Sequence, residues 1–253
     1  MAFWDFFSDK PKEKDLPPGK KTHYQGDLSK TDILNKLCQI PKAQRDERWR
    51  EKFLSNVADA GFRCANPQMI KGPDDFPYFI LILPGPFQNF QAFTIRHMKD
   101  DFLLDAGYGI VINPQGNQAD WVFSYGDIVN FQVNGEFYTG AIRPHPEDGE
   151  LMNQTEQMQI SQPSEKYLPK TVRSVIKDFL KSMGVEKPMV MLVTRNIDGV
   201  MARDLAFNIY QQDFPTTKHF DFTLQHLAWF LPRHYSVLSF PKANNFESRF
   251  AEL

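Results

Sequence analysis

Two cysteines and six histidines are the side chains of this chain best suited to covalent or metal chemistry. A thiol nucleophile needs a histidine base and a group to orient that base. For Cys64 the available histidine is His97, and nothing in the spacing ties the two together. Zinc needs three or four ligands at short, characteristic spacings. His219, His226 and His234 come nearest, but the first two lie two turns apart on one expected helix and the third falls beyond Pro232. No metal and no cofactor are expected. The acid pairs Asp74-Asp75, Asp100-Asp101 and Glu147-Asp148 are adjacent in sequence, as acids at turns and helix starts are. General acid-base work instead needs acids held across a cleft. The sequence contains no GxGxxG, GxxxxGK[ST], HExxH, CxxC or GxSxG, so it signals no phosphate cradle and no familiar nucleophile. The expectation is a protein without catalytic residues.

The elements that would position any site read as α+β, in two small mixed domains. Residues 1–27 stand apart: the aromatic knot Phe3, Trp4, Phe6 and Phe7 precedes a lysine- and proline-rich stretch with linker character. A first domain is expected over 28–142. Ser29 and Asp32 resemble a capping box for a helix closed by Pro41, and a second helix is expected from Lys42 to Ala60, with Trp49, Phe53 and Val57 on one face. Strands are expected at Phe62–Ala65, Phe76–Leu83, Tyr108–Ile112 and Asp120–Ser124, with helix dominating Phe90–Ala106. Tyr125–Val133 fits helix or strand, and Asn134-Gly135 suggests a hairpin turn. The polar stretch Arg143–Asn153 marks the domain change.

The second domain, 155–253, is more regular. Strand Met158–Ser161, helix Pro169–Met183, strands Met189–Thr194 and Asp204–Tyr210, helix His219–Leu231 and strand Ser236–Phe240 follow in turn. That order, βαββαβ, is the signature of a ferredoxin-like sandwich. Val172, Val175, Ile176, Phe179, Leu180 and Met183 recur at helical spacing, which makes that helix the clearest element in the chain. Residues from Asn244 onward read as a polar tail.

A net charge of −2 does not draw the whole chain to nucleic acid, which needs a basic surface. Met1–Lys10 lacks the charged and long apolar regions of a secretory leader, and no apolar run is long enough to span a bilayer. A cytoplasmic location follows as the expectation, with membrane association through residues 2–7 as a lesser one. The fraction of aromatic residues, 14%, fits either a Phe-rich core or an interaction surface.

The most distinctive stretch is GYGIVINPQGNQADWVFSYGDIVNF, residues 107–131. Its glycines permit tight turns, and its aromatics and acids could form a recognition surface. Trp121, Tyr125 and Asp127 are the expected partner contacts. The same stretch also reads as strands of a small sheet around a buried Trp121.

Together with GPDDFPYFILILPG at 72–85, and with LP and WFLPRHYSV within 168–237, this stretch looks like a bacterial family with no settled activity. The C-terminal half resembles SseB-type (enhanced serine sensitivity) proteins in the helix opening at Leu168-Pro169, the Phe207-Asn208 strand and the final helix-Pro-strand. The resemblance implies a non-enzymatic binding protein, of the immunity or adaptor kind found near secreted-toxin loci, with another protein as partner. An enzyme with its site between the two domains is the alternative.

Overall fold

Residues 26–85, 88–116, 118–140, 158–197, 200–242 and 247–253 are described by the structure, a computed structural model. Helix α1 (Leu28–Cys38) starts at Asp27, whose carboxylate accepts from the backbone N–H of Ser29 at 2.9 Å and of Lys30 at 3.3 Å. The cap therefore lies two residues before the expected Ser29, and Asp32 instead pairs with Lys36 one turn on, at 2.6 Å. Helix α2 (Glu47–Val57) also starts later than its hydrophobic period suggests. Residues Lys42–Gln44 form a single 3₁₀ turn after Pro41. The Asp46 carboxylate then accepts from Trp49 N at 2.8 Å and sets the true start. Trp49, Phe53 and Val57 are buried, as their spacing predicts.

These helices accompany a four-stranded sheet of β1 (Arg63–Lys71), β2 (Pro77–Ile82), β3 (Gly109–Ile112) and β4 (Trp121–Phe123), in that order. β2 and β3 are parallel and the outer pairs antiparallel. A parallel pair requires a long crossover. It is supplied by α3 (Ile95–Met98), a π-helical turn (Lys99–Leu103) and α4 (Leu104–Ala106), which run on without a break. Gly107 ends them in the left-handed region at φ 73°. Gly109 is needed for space, since a Cβ there would lie 2.7 Å from Phe123 O and 2.8 Å from the Tyr78 ring.

Helix α5 (Tyr125–Asn134) resolves the choice between helix and strand. Ser124 and Asp127 cap it reciprocally: Asp127 N donates to Ser124 Oγ at 3.1 Å, and Ser124 N donates to the Asp127 carboxylate at 2.9 Å. The expected hairpin at Asn134-Gly135 does not form. Gly135 adopts φ 76° and its N–H donates to Phe131 O at 3.0 Å, ending the helix. A positive φ serves a helix end as well as a hairpin, so the dipeptide alone does not separate the two. Phe137 stacks on Phe131 at 4.5 Å and 15° instead of entering a strand.

The chain divides into two compact units between Ile128 and Val129, inside α5. The sequence reading ends the first domain at 142, where the composition changes. The polar boundary stretch itself lies largely outside the described residues.

The second unit contains β5 (Met158–Ser161), α6 (Lys170–Ser182), β6 (Met189–Ile197), β7 (Val200–Phe207), α7 (Thr217–Trp229) and β8 (Ser236–Leu238). The architecture is α+β in both units, and the βαββαβ order of the second is present. Its strands stand in the sheet in chain order, β5-β6-β7-β8, with β7 and β8 parallel. A further strand, β9 (Ala251–Glu252), pairs with Met189 and Val190 of β6. The tail expected to be polar thus ends in the sheet, because Phe250 is buried with Met191, Val193, Ala206 and Phe240. Helix α6 buries its predicted face, and Phe179 meets Phe230 at 4.8 Å.

Candidate functional site

Of the three expected contact residues, two are interior. Tyr125 is fully buried, and its hydroxyl donates to Leu104 O at 2.8 Å. Asp127 is fully buried as the helix cap described above. Both side chains hold the fold together and present nothing to a partner. A capping acid and a recognition acid look alike in sequence when the helix start is ambiguous.

Trp121 is placed differently. It is half-buried on β4 and faces the helices, stacking on Phe53 at 5.0 Å and lying 5.8 Å from Trp49. Trp49 in turn stacks on Phe53 at 5.0 Å and donates its indole N–H to Leu37 O at 2.9 Å. The three rings form one rigid group whose outer member reaches the surface.

Beside them opens a cleft of about 370 Å³ lined by Lys42, Arg45, Asp46, Trp49, Arg50 and Trp121, with Glu47, Ala119 and Asp120 completing the wall. Arg45 organises it. Its guanidinium lies 4.6 Å from the Trp49 ring centroid and donates to the Asp120 carboxylate at 2.7 Å. It also donates to Ile40 O at 3.0 Å and Cys38 O at 3.1 Å, carbonyls left open where α1 ends. Asp120 accepts a further bond from Asn113 at 2.8 Å. One cation therefore ties the end of α1, the start of α2 and the approach to β4 into a fixed wall. The sequence reading found Trp121 but missed Arg45, Trp49 and Lys42. No spacing in the sequence joins Arg45 to Trp49, because Arg45 lies in extended backbone ahead of the Asp46 cap and outside α2.

The reactive side chains are engaged elsewhere. Burial, reinforced by the Asp120 carboxylate, pushes the Cys38 thiol up to about 12. Burial alone pushes the Cys64 thiol up to about 11. A thiol in that range is almost wholly protonated at neutral pH and is a poor nucleophile. His97 shares a hydrogen bond with Thr94 Oγ1 at 2.6 Å. His219 meets the edge of Phe214, His226 stacks on Phe222 and His234 stands edge-on to Tyr235. Among the described residues, no group of three or more His, Cys, Asp or Glu side chains is placed to hold a metal ion.

In the second unit the polar interior centres on Asp204, which is 2% exposed. Arg195 Nε donates to it at 2.8 Å from the neighbouring strand, and Ser236 Oγ donates from β8. Tyr167 and Tyr235 stack beside this node at 4.2 Å, nearly parallel. Burial, with Asp204 adding to it, pushes the Tyr167 phenol up to about 12. These groups satisfy one another across β6, β7 and β8, which fixes strand register. No helix among the described residues is long and apolar enough to cross a membrane. No protein-family model, no curated protein and no solved structure matches the chain.

Proposed function

We propose that this protein acts by binding another protein, in the cytoplasm, through the cleft beside Trp121, as an immunity or adaptor protein would. The observation that carries the reading is a half-buried tryptophan held rigid by two further rings and flanked by arginines. Tryptophan and arginine anchors in a preorganised wall are what concentrates binding energy at protein interfaces. The stack holds the indole in one position, so little rotamer freedom remains to be lost on association. The elevated thiols of Cys38 and Cys64 favour a binding role over a cysteine-based reaction.

The test is affinity capture of the tagged full chain from its own host, with two exposed charge reversals in parallel. Lys42→Glu alters the cleft, and Lys181→Glu alters the far end of α6. A single stoichiometric partner recovered by the wild type and by Lys181→Glu, and lost with Lys42→Glu, supports the reading. Equal recovery by all three, or no partner at all, removes it.

A further inference from the structure

Five large apolar side chains among the described residues are exposed: Leu28, Met69, Val122, Met201 and Phe222. Four are aliphatic, each alone on a different element, and scattered residues of that kind call for no explanation. Phe222 differs. It is the aromatic member of the set, 36% exposed, and it lies in a run of rings. His226 and Trp229 follow it at i+4 and i+7 on α7, which puts the three on one face, and His226 stacks on Phe222 at 3.6 Å. Phe214 and Phe220, in edge contact at 5.8 Å, lie at the start of the same helix. These four neighbours of Phe222 are only half-buried, and the side chains that α7 itself buries are Thr223 and Leu227. The helix keeps its smaller side chains inside and leaves its rings at the surface, although rings are the groups with most area to bury.

We propose that this aromatic face of α7 is the docking surface for the chain's own segment 3–7, in which Phe3, Trp4, Phe6 and Phe7 set four rings in five positions. Such a knot is as costly to leave in water as the face is. Ring against ring, offset or edge-on, is the contact that both sides offer. Residues 1–25 precede the first described residue, Gly26. Residues 7–25 extend to about 60 Å, so the linker does not confine the knot to the neighbourhood of Gly26. The tether also lowers the affinity required. It holds the segment at an effective concentration on the order of millimolar, so a contact too weak to retain a free peptide seats a tethered one. The docking surface lies on the second unit and owes nothing to the reading of the cleft beside Trp121.

The experiment places the photo-crosslinking residue p-benzoylphenylalanine in the full chain in place of Trp4. Mass spectrometry is expected to map the cross-link to residues 214–229 of the same molecule. Phe222→Ser should abolish it, and Phe222→Tyr, which keeps the ring, should keep it. A melting curve for each variant verifies that the fold is retained. Cross-links elsewhere in the chain, cross-links between two copies, or none at all overturn the proposal. Hydrogen exchange then compares the wild type with the full chain carrying Phe3→Ser, Trp4→Ser and Phe6→Ser. The amides of α7 should exchange about fivefold faster in the variant while those of α6 keep their rates. Unchanged exchange in α7 overturns the proposal. Wild type that sediments with phosphatidylcholine–phosphatidylserine vesicles, where the triple variant does not, overturns it in favour of a membrane anchor.

Discussion

The guanidinium of Arg45 and the carboxylate of Asp120 meet at 2.7 Å although 75 positions separate them in the chain. Their side chains are 10% and 14% exposed, so the pair is largely removed from water. Arg45→Ala leaves a nearly buried carboxylate and the Cys38 and Ile40 carbonyls without their donor, and is expected to cost about 3 kcal/mol. Asp120→Asn is expected to cost less, because the amide still accepts from Asn113. The double variant should fall well short of the sum. Arg45→Lys should rescue little, since an ammonium cannot reproduce the fork or the stacking on Trp49. Urea denaturation of the four variants checks all of this.

Acid should loosen the first unit at Asp59. Arg96 and Lys30 both donate to its carboxylate, and the Arg96 hydrogen bond, with Lys30 in support, lowers its pKa to about 2. A carboxyl whose folded pKa lies below its unfolded value adds stability above the unfolded value, near pH 4, and loses it as the pH falls towards 2. Solvent screening of these half-exposed partners leaves about 1 kcal/mol. Thermal melts of wild type and Asp59→Asn should therefore differ at pH 7 and converge only as the pH falls to about 2. A constant difference across that range would show that the charge contributes nothing.

Tyr125 separates packing from hydrogen bonding at one site. Tyr125→Phe keeps the ring and leaves Leu104 O without its donor, for an expected cost of about 1 kcal/mol. Tyr125→Ala opens a cavity in a fully buried position and should cost about 3–5 kcal/mol. Far-UV circular dichroism during denaturation would give both values. A Phe variant as damaged as the Ala variant would contradict the role given to the ring.

Thiol labelling should be slow in the folded protein. With Cys38 pushed up to about 12 and Cys64 to about 11, little thiolate exists at pH 8. Iodoacetamide should modify both rapidly only after unfolding in urea, as followed by intact mass. Rapid labelling of either thiol in the native state would contradict the burial assigned to it.

The C-terminal residues are expected to be structural. Phe250→Ala should destabilise the second unit by roughly 3–4 kcal/mol, because the ring packs on Met191 and Val193 beside β9. Hydrogen exchange at Met189 and Val190, which pair with β9, should rise with it.

Periodicity alone determined a good part of this molecule. The spacing of Val172, Val175, Ile176, Phe179 and Leu180 marks α6, and Trp49, Phe53 and Val57 mark the buried face of α2, because a face repeating every 3.6 residues can be satisfied only by burial. The α+β class and the βαββαβ order followed from such local patterns. What the tertiary structure decided were matters of partnership. Asp127 reads as a partner contact until α5 is seen to start beside it, with Ser124 and Asp127 capping each other. Gly135 reads as a turn until it is seen to end a helix. The two-residue strand β9 carries no period at all, and the order of strands within a sheet is set by long-range pairing. The cleft belongs to the same class. Arg45, Trp49 and Trp121 come together because α2 packs Trp49 and Phe53 on Trp121 of β4, and no property of residues 45 to 49 announces a partner seventy positions away.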